Sequence, residues 1–330
     1  MCPYFLGADI GGTKTHVLIS DKDGRVVGFG ESGPGNHEMV GYDGLARVIG
    51  DAAGQALASA GLSWRQIAGA GFGVAGYDWP SERQPTLEAI RSLGVEAPVG
   101  AVNDALIGLL AGSPEGWGVA VVSGTGCNCH GWDRTRRRVG QAIGAGQMVG
   151  EGAGASELVA RAVEAIAHEW TQRGPATRLS QALVQHIGAR DLADLIEGLV
   201  MDRIVLCAAD APLVFQVAAE GDRVALGLIR WAGRKLGELA KGVIRQLEFE
   251  TLAFDVVLVG SMYDGNPLLA KTMRRSIHTI AQGARLVRLS VPPVAGAVLL
   301  GMEQAGLSPD GAVRKNLAQT ISAVYQFSGF

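Results

Sequence analysis

A chain of 330 residues is long enough to form two domains, each with a buried core. Hydrophobic residues make up 48% of the chain, which predicts a globular protein with little disorder. The formal net charge of −3 gives no electrostatic reason to expect nucleic acid or an anionic membrane surface as a partner.

Neither the first residues nor the cysteines indicate export. The N-terminus lacks the basic and apolar regions of a secretory signal, and no stretch approaches the ~18 consecutive apolar residues of a membrane span. Of the four cysteines, only Cys127 and Cys129 are close in sequence, and no second pair completes a zinc site. Reduced thiols and a cytoplasmic location are therefore expected.

The first half of the chain alternates apolar strands with helices. Three strands are predicted within residues 5–31, and a helical period follows over residues 42–60. The elements after it are a strand, a helix, a strand and a helix, at residues 69–74, 85–93, 99–102 and 105–110. The turn-rich residues 112–116 are predicted to be a hinge between two halves.

The second half repeats the opening with three strands within residues 118–140 and then becomes mainly helical. Helices are predicted at residues 153–171, 176–187, 191–199, 211–219 and 222–247. A strand, a helix, a strand and two helices follow at residues 254–259, 267–282, 285–289, 295–304 and 313–327. This alternation predicts an α/β protein with helices on both sides of its sheets.

Two domains are predicted from this pattern. The first covers residues 1–113, and the terminal helix within residues 313–330 is expected to cross back to it. The second covers residues 114–312 and contains a helical insertion at residues 153–250.

A strand, a glycine-rich turn and a second strand occur once in each half. The turns contain Gly11, Gly12 and Thr13 in the first half, and Gly124, Thr125 and Gly126 in the second. Glycine allows backbone N–H groups to approach anionic oxygens closely. Two such turns facing each other predict a binding site for the phosphates of a nucleotide.

The first turn is not a Walker A loop, because Thr13 precedes Lys14 and the following residues are strand-like rather than helical. Its amides, hydroxyls and ammonium group still suit phosphate. Asp9, at the end of the preceding strand, is placed to organise a hydrated Mg²⁺ ion. For this turn taken alone, a tight hairpin without a ligand is the alternative.

Four motifs occur in the order used by a known superfamily: DIGGTKT at residues 9–15, VNDA at 102–105, SGTG at 123–126 and LVGS at 258–261. The chain resembles the sugar kinase/heat-shock protein/actin superfamily, and within it the BadF/BadG/BcrA/BcrD ATPase and N-acetylglucosamine kinase branch. The resemblance covers nearly the whole chain. It implies two ribonuclease-H-like domains, each a mixed five-stranded sheet flanked by helices, with ATP and Mg²⁺ bound in the cleft between them.

The resemblance assigns nucleotide-binding roles to individual residues. The first phosphate element comprises Asp9, Gly11, Gly12, Thr13, Lys14 and Thr15, with Asp9 binding Mg²⁺ through water. The second comprises Ser123, Gly124, Thr125 and Gly126. The adenosine element comprises Gly260 and Ser261, and Leu236 lies in a region that borders adenine. Ala295, Gly296 and Ala297 resemble a small-residue helix that lets the two domains pack closely.

Asp104 follows a predicted strand and begins a predicted helix. On local sequence alone a helix N-cap is the favoured role, because Asp and Asn are common at helix starts. The resemblance makes Asp104 the catalytic base that accepts the proton of the attacking sugar hydroxyl. The two roles are compatible.

The resemblance also implies a sugar pocket. Its residues would be Asn36, Gly76, Asp104, Cys127, Asn128, Gly144, Ala145, Gly146 and Glu151. Ala145 stands where the family has tryptophan, and Glu151 stands at or next to the family's sugar-binding aspartate. These two departures weaken the assignment to N-acetylglucosamine and leave glucosamine, another hexosamine or a different polyol open.

The expected function is an ATP-dependent amino-sugar kinase acting at the 6-hydroxyl, with a homodimer as the expected assembly. Two alternatives remain within the same fold. One is an activator ATPase with an iron–sulfur cluster shared by a dimer, which requires cysteines at the subunit boundary. The other is a sugar or nucleotide sensor without catalytic activity.

Overall fold

A computed structural model of the chain describes residues 3–327 and contains two five-stranded sheets. The first sheet has the order β3-β2-β1-β4-β5. Its strands are β1 (Tyr4–Ile10), β2 (Thr15–Asp21), β3 (Val26–Ser32), β4 (Ile67–Val74) and β5 (Val99–Asn103). The second sheet has the order β10-β9-β6-β7-β8. Its strands are β6 (Gly118–Ser123), β7 (Cys127–Trp132), β8 (Val139–Ala142), β9 (Phe254–Val259) and β10 (Ala284–Arg288).

The two sheets have the same topology. In each, the first three strands pair antiparallel. The fourth strand pairs in parallel with the first, and the fifth pairs in parallel with the fourth. The duplication predicted from the sequence is therefore confirmed as two copies of one mixed sheet. Parallel neighbours require crossover connections, which here are helices.

Twelve helices of the described chain flank the sheets. The first six are α1 (His37–Ala60), α2 (Arg83–Arg91), α3 (Asp104–Gly112), α4 (Ala155–Trp170), α5 (Arg178–Ile187) and α6 (Leu192–Val200). The others are α7 (Ala211–Ala219), α8 (Arg223–Leu247), α9 (Met262–Gly265), α10 (Pro267–Ile277), α11 (Val294–Gln304) and α12 (Gly311–Phe327). Within residues 3–327, none is long and apolar enough to cross a membrane.

Helix α1 begins earlier than its hydrophobic period suggests. Asn36 caps it, since the Asn36 side chain accepts a hydrogen bond from the amide of Glu38. The helix is interrupted at Gly41, whose φ of 70° is left-handed, and the regular period starts only after it. Helix α10 in turn ends at Ile277, before the predicted residue 282, because a turn then buries Ala281 completely.

The two domains exchange their last helices. Helix α3 follows β5 of the first sheet, yet Leu106 and Leu109 form a core with Val257 of the second sheet. Helix α11 follows β10 of the second sheet but packs on the first. A Cβ atom at Gly71 of β4 would lie only 2.1 Å from the carbonyl oxygen of Ala297. Such close backbone contact requires glycine on the strand.

Helix α12 returns to the first sheet. The amide of Val26 donates a hydrogen bond to Thr320 Oγ1 at 3.1 Å, and Asn316 Nδ2 donates to the carbonyl oxygen of Asp23 at 2.8 Å. Leu317 and Ile321 are buried in a core shared with β1, β2 and α11. The terminal helix thus packs on the first sheet and on α11.

Candidate active site

The two glycine turns meet where the domains face each other. The turn between β1 and β2 and the turn between β6 and β7 approach until Thr13 Oγ1 and Thr125 Oγ1 are 3.4 Å apart. Each turn follows the carboxyl end of the central strand of its sheet. In α/β folds this is where ligands bind.

The first turn is held by short backbone hydrogen bonds. The amide of Gly11 donates to the carbonyl oxygen of Lys14, and the amide of Gly35 donates to that of Gly11, both at 3.0 Å. Within residues 3–327, the amides of Gly12 and Thr13 have no protein acceptor. Two donors are therefore available to an anion at the turn.

The second turn is supported by the N-terminus of α4. The amides of Ala155 and Ser156 donate to the carbonyl oxygens of Gly124 and Thr125 at 2.8 and 3.0 Å. A Cβ atom at Gly154 would lie 2.5 Å from Gly126 Cα, so the helix and the turn are in backbone contact. These bonds turn the carbonyl groups towards the helix, which leaves the opposite side of the turn to amide and hydroxyl donors.

The adenosine element predicted at residues 260–261 lies against the second turn. Gly260 has a φ of 104°, and a Cβ atom there would be 2.2 Å from the carbonyl oxygen of Ser123. Ser261 then begins the short helix α9. Leu236, by contrast, is fully buried in the core of the second domain and offers no side-chain surface to a nucleotide.

Two carboxyl groups lie beside the turns. Asp9 occupies the penultimate position of β1, where burial, followed by the negative charge of Asp104, raises its pKa to about 7; Lys14 acts in the opposite direction. Burial also raises the pKa of Asp104, while a hydrogen bond from Asn128 lowers it. Two partly buried carboxyl groups that repel each other favour a nearby cation or a shared proton.

The N-cap of α3 is Asn103 rather than Asp104. Asn103 Oδ1 accepts from the amide of Ala105 at 2.9 Å, and Asp104 is the first residue of the helix proper. Asp104 Oδ1 instead accepts from Asn128 Nδ2 at 2.9 Å, across the cleft from β7. The capping role weighed for Asp104 therefore belongs to its neighbour.

The predicted sugar residues of the first domain are in contact. Asn36 Oδ1 caps α1 by accepting from the amide of Glu38 at 2.9 Å. Gly76 has a φ of 78°, and a Cβ atom there would lie 2.6 Å from Asn36 Oδ1. Only glycine fits here without displacing the Asn36 side chain.

In the second domain, Glu151 closes a loop that carries Gly144, Ala145 and Gly146. Glu151 Oε2 accepts from the amide of Gly144, and the amide of Glu151 donates to the carbonyl oxygen of Gly146, both at 2.9 Å. Gly144 lies directly on the backbone of Cys127, with its virtual Cβ 1.5 Å from the Cys127 carbonyl oxygen. Ala145 is exposed in this loop. The loop therefore adjoins β7 next to Asn128.

Asp78 and His130 were not singled out from the sequence, although both lie near Asp104. Burial, followed by the charge of Asp104, raises the pKa of Asp78 to about 7, and burial lowers the pKa of His130 to about 3. The signal available in the sequence was that Asp78 follows β4 as Asp104 follows β5, two adjacent parallel strands.

The shared strand order, the exchanged helices and the facing glycine turns define the actin-like ATPase fold of sugar kinases. The sequence matches the profile of a described family over residues 6–301. The chain belongs to the BadF/BadG/BcrA/BcrD ATPase family.

Individual relatives cover almost the whole chain. This chain is 24% identical over 303 residues to the N-acetylmuramic acid/N-acetylglucosamine kinase of Clostridium acetobutylicum, and the match covers 91% of this chain and 99% of that protein. A Chromobacterium violaceum structure provisionally named N-acetylglucosamine kinase is 24% identical, with a TM-score of 0.67 and coverage of 91% and 99%. The ROK family glucokinase of Streptomyces griseus, solved with glucose and AMPPNP, is 19% identical with a TM-score of 0.60 over 91% and 99%.

Proposed function

We propose that this chain is an ATP-dependent kinase that phosphorylates N-acetylglucosamine or a related hexosamine at the 6-hydroxyl. Its family and its similarity to a kinase named for N-acetylmuramic acid and N-acetylglucosamine support this reaction class. The Streptomyces griseus glucokinase, which shares the fold, was solved with a sugar and an ATP analogue together.

The observation that carries the proposal is the 3.4 Å approach of Thr13 Oγ1 to Thr125 Oγ1. It brings both turns, and the amides of Gly12 and Gly126 beside the two threonines, to one place. Backbone amides and hydroxyls of this kind bind the terminal phosphates of a nucleotide. Gly260 packs against the backbone of the second turn, where a side chain would displace Ser123.

The cleft residues also fit a divalent cation held mainly by its substrate. Within residues 3–327, no three or more His, Cys, Asp or Glu side chains are arranged to hold a metal ion. Asp9 and Asp104 nevertheless supply two neighbouring carboxyl groups. Mg²⁺ keeps several waters and binds through one or two carboxylates and phosphate oxygens. Bound to Asp9 through water, it would neutralise charge on the transferring phosphoryl group.

Asp104 is suited to take the proton of the attacking hydroxyl. Asn128 holds its Oδ1 at 2.9 Å, which orients the carboxylate so that Oδ2 can face an acceptor. Among the described residues, the buried Asn128 Oδ1 has no hydrogen-bond partner, so it can accept from a sugar hydroxyl or amide. Closure of the domains then excludes water, which would otherwise compete for the phosphoryl group.

Two features of the pocket bear on the acceptor. Glu151 binds the amide of Gly144, so one of its oxygens is used to close the loop. The exposed Ala145 leaves space that a tryptophan would fill, and this space suits a hexosamine with a larger substituent.

The homodimer and the cytoplasmic location remain predictions.

The proposal is tested by ADP release from ATP and Mg²⁺ over a panel of glucosamine, N-acetylglucosamine, N-acetylmuramic acid and glucose. Turnover with an amino sugar and none with its 6-deoxy analogue supports the assignment. Asp104→Asn should lower kcat about 100-fold or more, because general-base catalysis contributes that much. Binding of an ATP analogue should persist. Asp51→Asn, an exposed carboxylate on α1, is the matched control.

Near-normal turnover of Asp104→Asn would contradict the role of Asp104. ATP-analogue and sugar binding without turnover in the wild-type chain would favour the sensor. The activator alternative needs cysteines at a subunit boundary, and among the described cysteines Cys207 alone is exposed. Cys127 and Cys129 are buried, and burial raises the pKa of Cys127 to about 12.

A further inference from the structure

Asp78 lies next to the proposed catalytic base but has no role in the function described above. It follows β4, and Asp104 follows β5, the strand that pairs with β4 in parallel. The Asp78 side chain is 10% exposed. Glu82 Oε2 fixes the local backbone by accepting from the amides of Asp78 and Trp79, both at 2.8 Å.

A chain of hydrogen bonds joins Asp78 to the start of α3. Asp78 Oδ1 accepts from Asn103 Nδ2 at 2.9 Å, and Asn103 Oδ1 accepts from the amide of Ala105 at 2.9 Å. The Asn103 amide satisfies both bonds in only one of its two orientations. Asn103 Nδ2 also donates to the carbonyl oxygen of Tyr77 at 3.4 Å, so the Asp78 carboxyl group is the closer of two acceptors that orient the cap of the helix beginning at Asp104.

Asp78 also touches the second domain. Gln141 Nε2 donates to the carbonyl oxygen of Asp78 at 3.2 Å, and His130 Nε2 lies 3.6 Å from Asp78 Oδ1. His130 and Asn128 lie on the same face of β7, because strand side chains alternate. Asp78 and Asp104 thus meet the same strand of the opposite domain.

The hydrogen bond to Asn103 does not depend on the charge of Asp78. Burial, Asp104, Glu82 and Glu38 raise its pKa to about 7, while the Asn103 bond lowers it. His130, the titratable group that faces it from β7, has a lowered pKa of about 3. Protonated or not, the Asp78 carboxyl group retains an oxygen that accepts from an amide.

We propose that Asp78 is a positioning residue for phosphoryl transfer: it orients the Asn103 amide that caps α3 and thereby fixes Asp104 against Asn128. The inference rests on the proposed kinase function. A displacement of about 1 Å at a reacting group is enough to cost about 100-fold in rate. The contribution of Asp78 should accordingly appear in kcat.

The test compares Asp78→Ala, Asp78→Asn and the surface control Asp51→Ala in the full chain. Asp78→Ala removes the acceptor and should lower kcat about 100-fold, with KM for ATP changed by less than about twofold. Asp78→Asn keeps an acceptor oxygen and should retain kcat within about threefold of wild type. A purely structural role would lower the melting temperature without this split between kcat and KM.

A double-mutant cycle tests whether Asp78 acts through Asn103. Asn103→Ser can still cap α3 but lacks the amide nitrogen that donates to Asp78, so it should be slow, and the double variant with Asp78→Ala should be no slower. Asn103→Ser also serves if Asp78→Ala does not fold. If the kcat losses of the two single variants multiply in the double variant, or if Asp78→Ala keeps wild-type kcat, the role of Asp78 is refuted. The proposed kinase function would be unaffected by either result. A wild-type chain without turnover would overturn the proposed function first.

Discussion

The contact between the exchanged helices gives a prediction that the structure makes quantitative. Gly296 of α11 lies against α3, and a Cβ atom there would be 1.8 Å from the carbonyl oxygen of Ile107 and 2.9 Å from the amide nitrogen of Ala111. Ordinary contact begins at 3.4 Å, so Gly296→Ala requires the helices to separate by about 1.6 Å. Overpacking of this kind costs about 3 kcal/mol.

With an unfolding entropy of about 2.1 cal/mol/K per residue, that cost should lower the melting temperature of the chain by about 4 °C, measured by calorimetry or circular dichroism. Because Asp104 is the first residue of α3, kcat should also fall. Gly54→Ala is the matched control. Gly54 is an exposed glycine within α1, and a Cβ atom there meets nothing within 4 Å. This control should gain about 0.5–1 kcal/mol from helix propensity.

A melting temperature of Gly296→Ala within about 1 °C of wild type would refute the argument that the helices are in obligatory backbone contact. A melting temperature of Gly296→Ala raised as much as that of Gly54→Ala would likewise show helix propensity alone, with no packing conflict at Gly296.

Three further predictions concern the cleft. Thr13→Ala and Thr125→Ala should each raise KM for ATP about tenfold, since each removes a hydroxyl donor to phosphate; unchanged KM in both would contradict the phosphate site. Gly260→Ala, with φ at 104° and its Cβ 2.2 Å from the Ser123 carbonyl oxygen, should displace the second turn and weaken ADP binding by calorimetry; wild-type affinity would contradict the close packing. His130 has a folded pKa of about 3, below its ordinary 6.5, so its contribution to stability is complete above pH 6.5 and is lost as the pH falls towards 3. In urea titrations, the wild type should lose about 2 kcal/mol more unfolding free energy than His130→Leu between pH 7 and pH 5, and equal losses would show that folding does not lower the pKa of His130.

The features that depend on local sequence were predictable. The strands and most helices follow from apolar periodicity, and the repeated glycine turns indicated the duplication that the two sheets confirm. The start of α1 was missed, because the left-handed Gly41 interrupts the period within the first turns of the helix. The sequence identified candidate site residues but not which of them contact one another in the folded chain.

The features that depend on distant contacts were not predictable. Asn103 and Asp104 are both suitable N-cap residues, and only the structure shows that Asn103 caps α3 while Asp104 accepts from Asn128 of the other domain. The signal for Asp78 was weaker than that for Asp104, because Asp78 follows the end of β4 by four residues whereas Asp104 directly follows β5. Leu236 shows the opposite failure: a position transferred by resemblance lies in a core where its side chain cannot reach a nucleotide.

The exchange of α3 and α11 also determines whether separately produced fragments of the chain can fold. A fragment that stops after residue 113 would leave Phe5 and Leu18 uncovered, because Val298 and Leu317 of the missing portion shield them. Each fragment would thus carry a bare apolar sheet face and a helix with no surface to pack against. We expect both fragments to aggregate when made separately and to recover a folded enzyme only when produced together, so that subdividing this protein for biophysical work calls for co-expression.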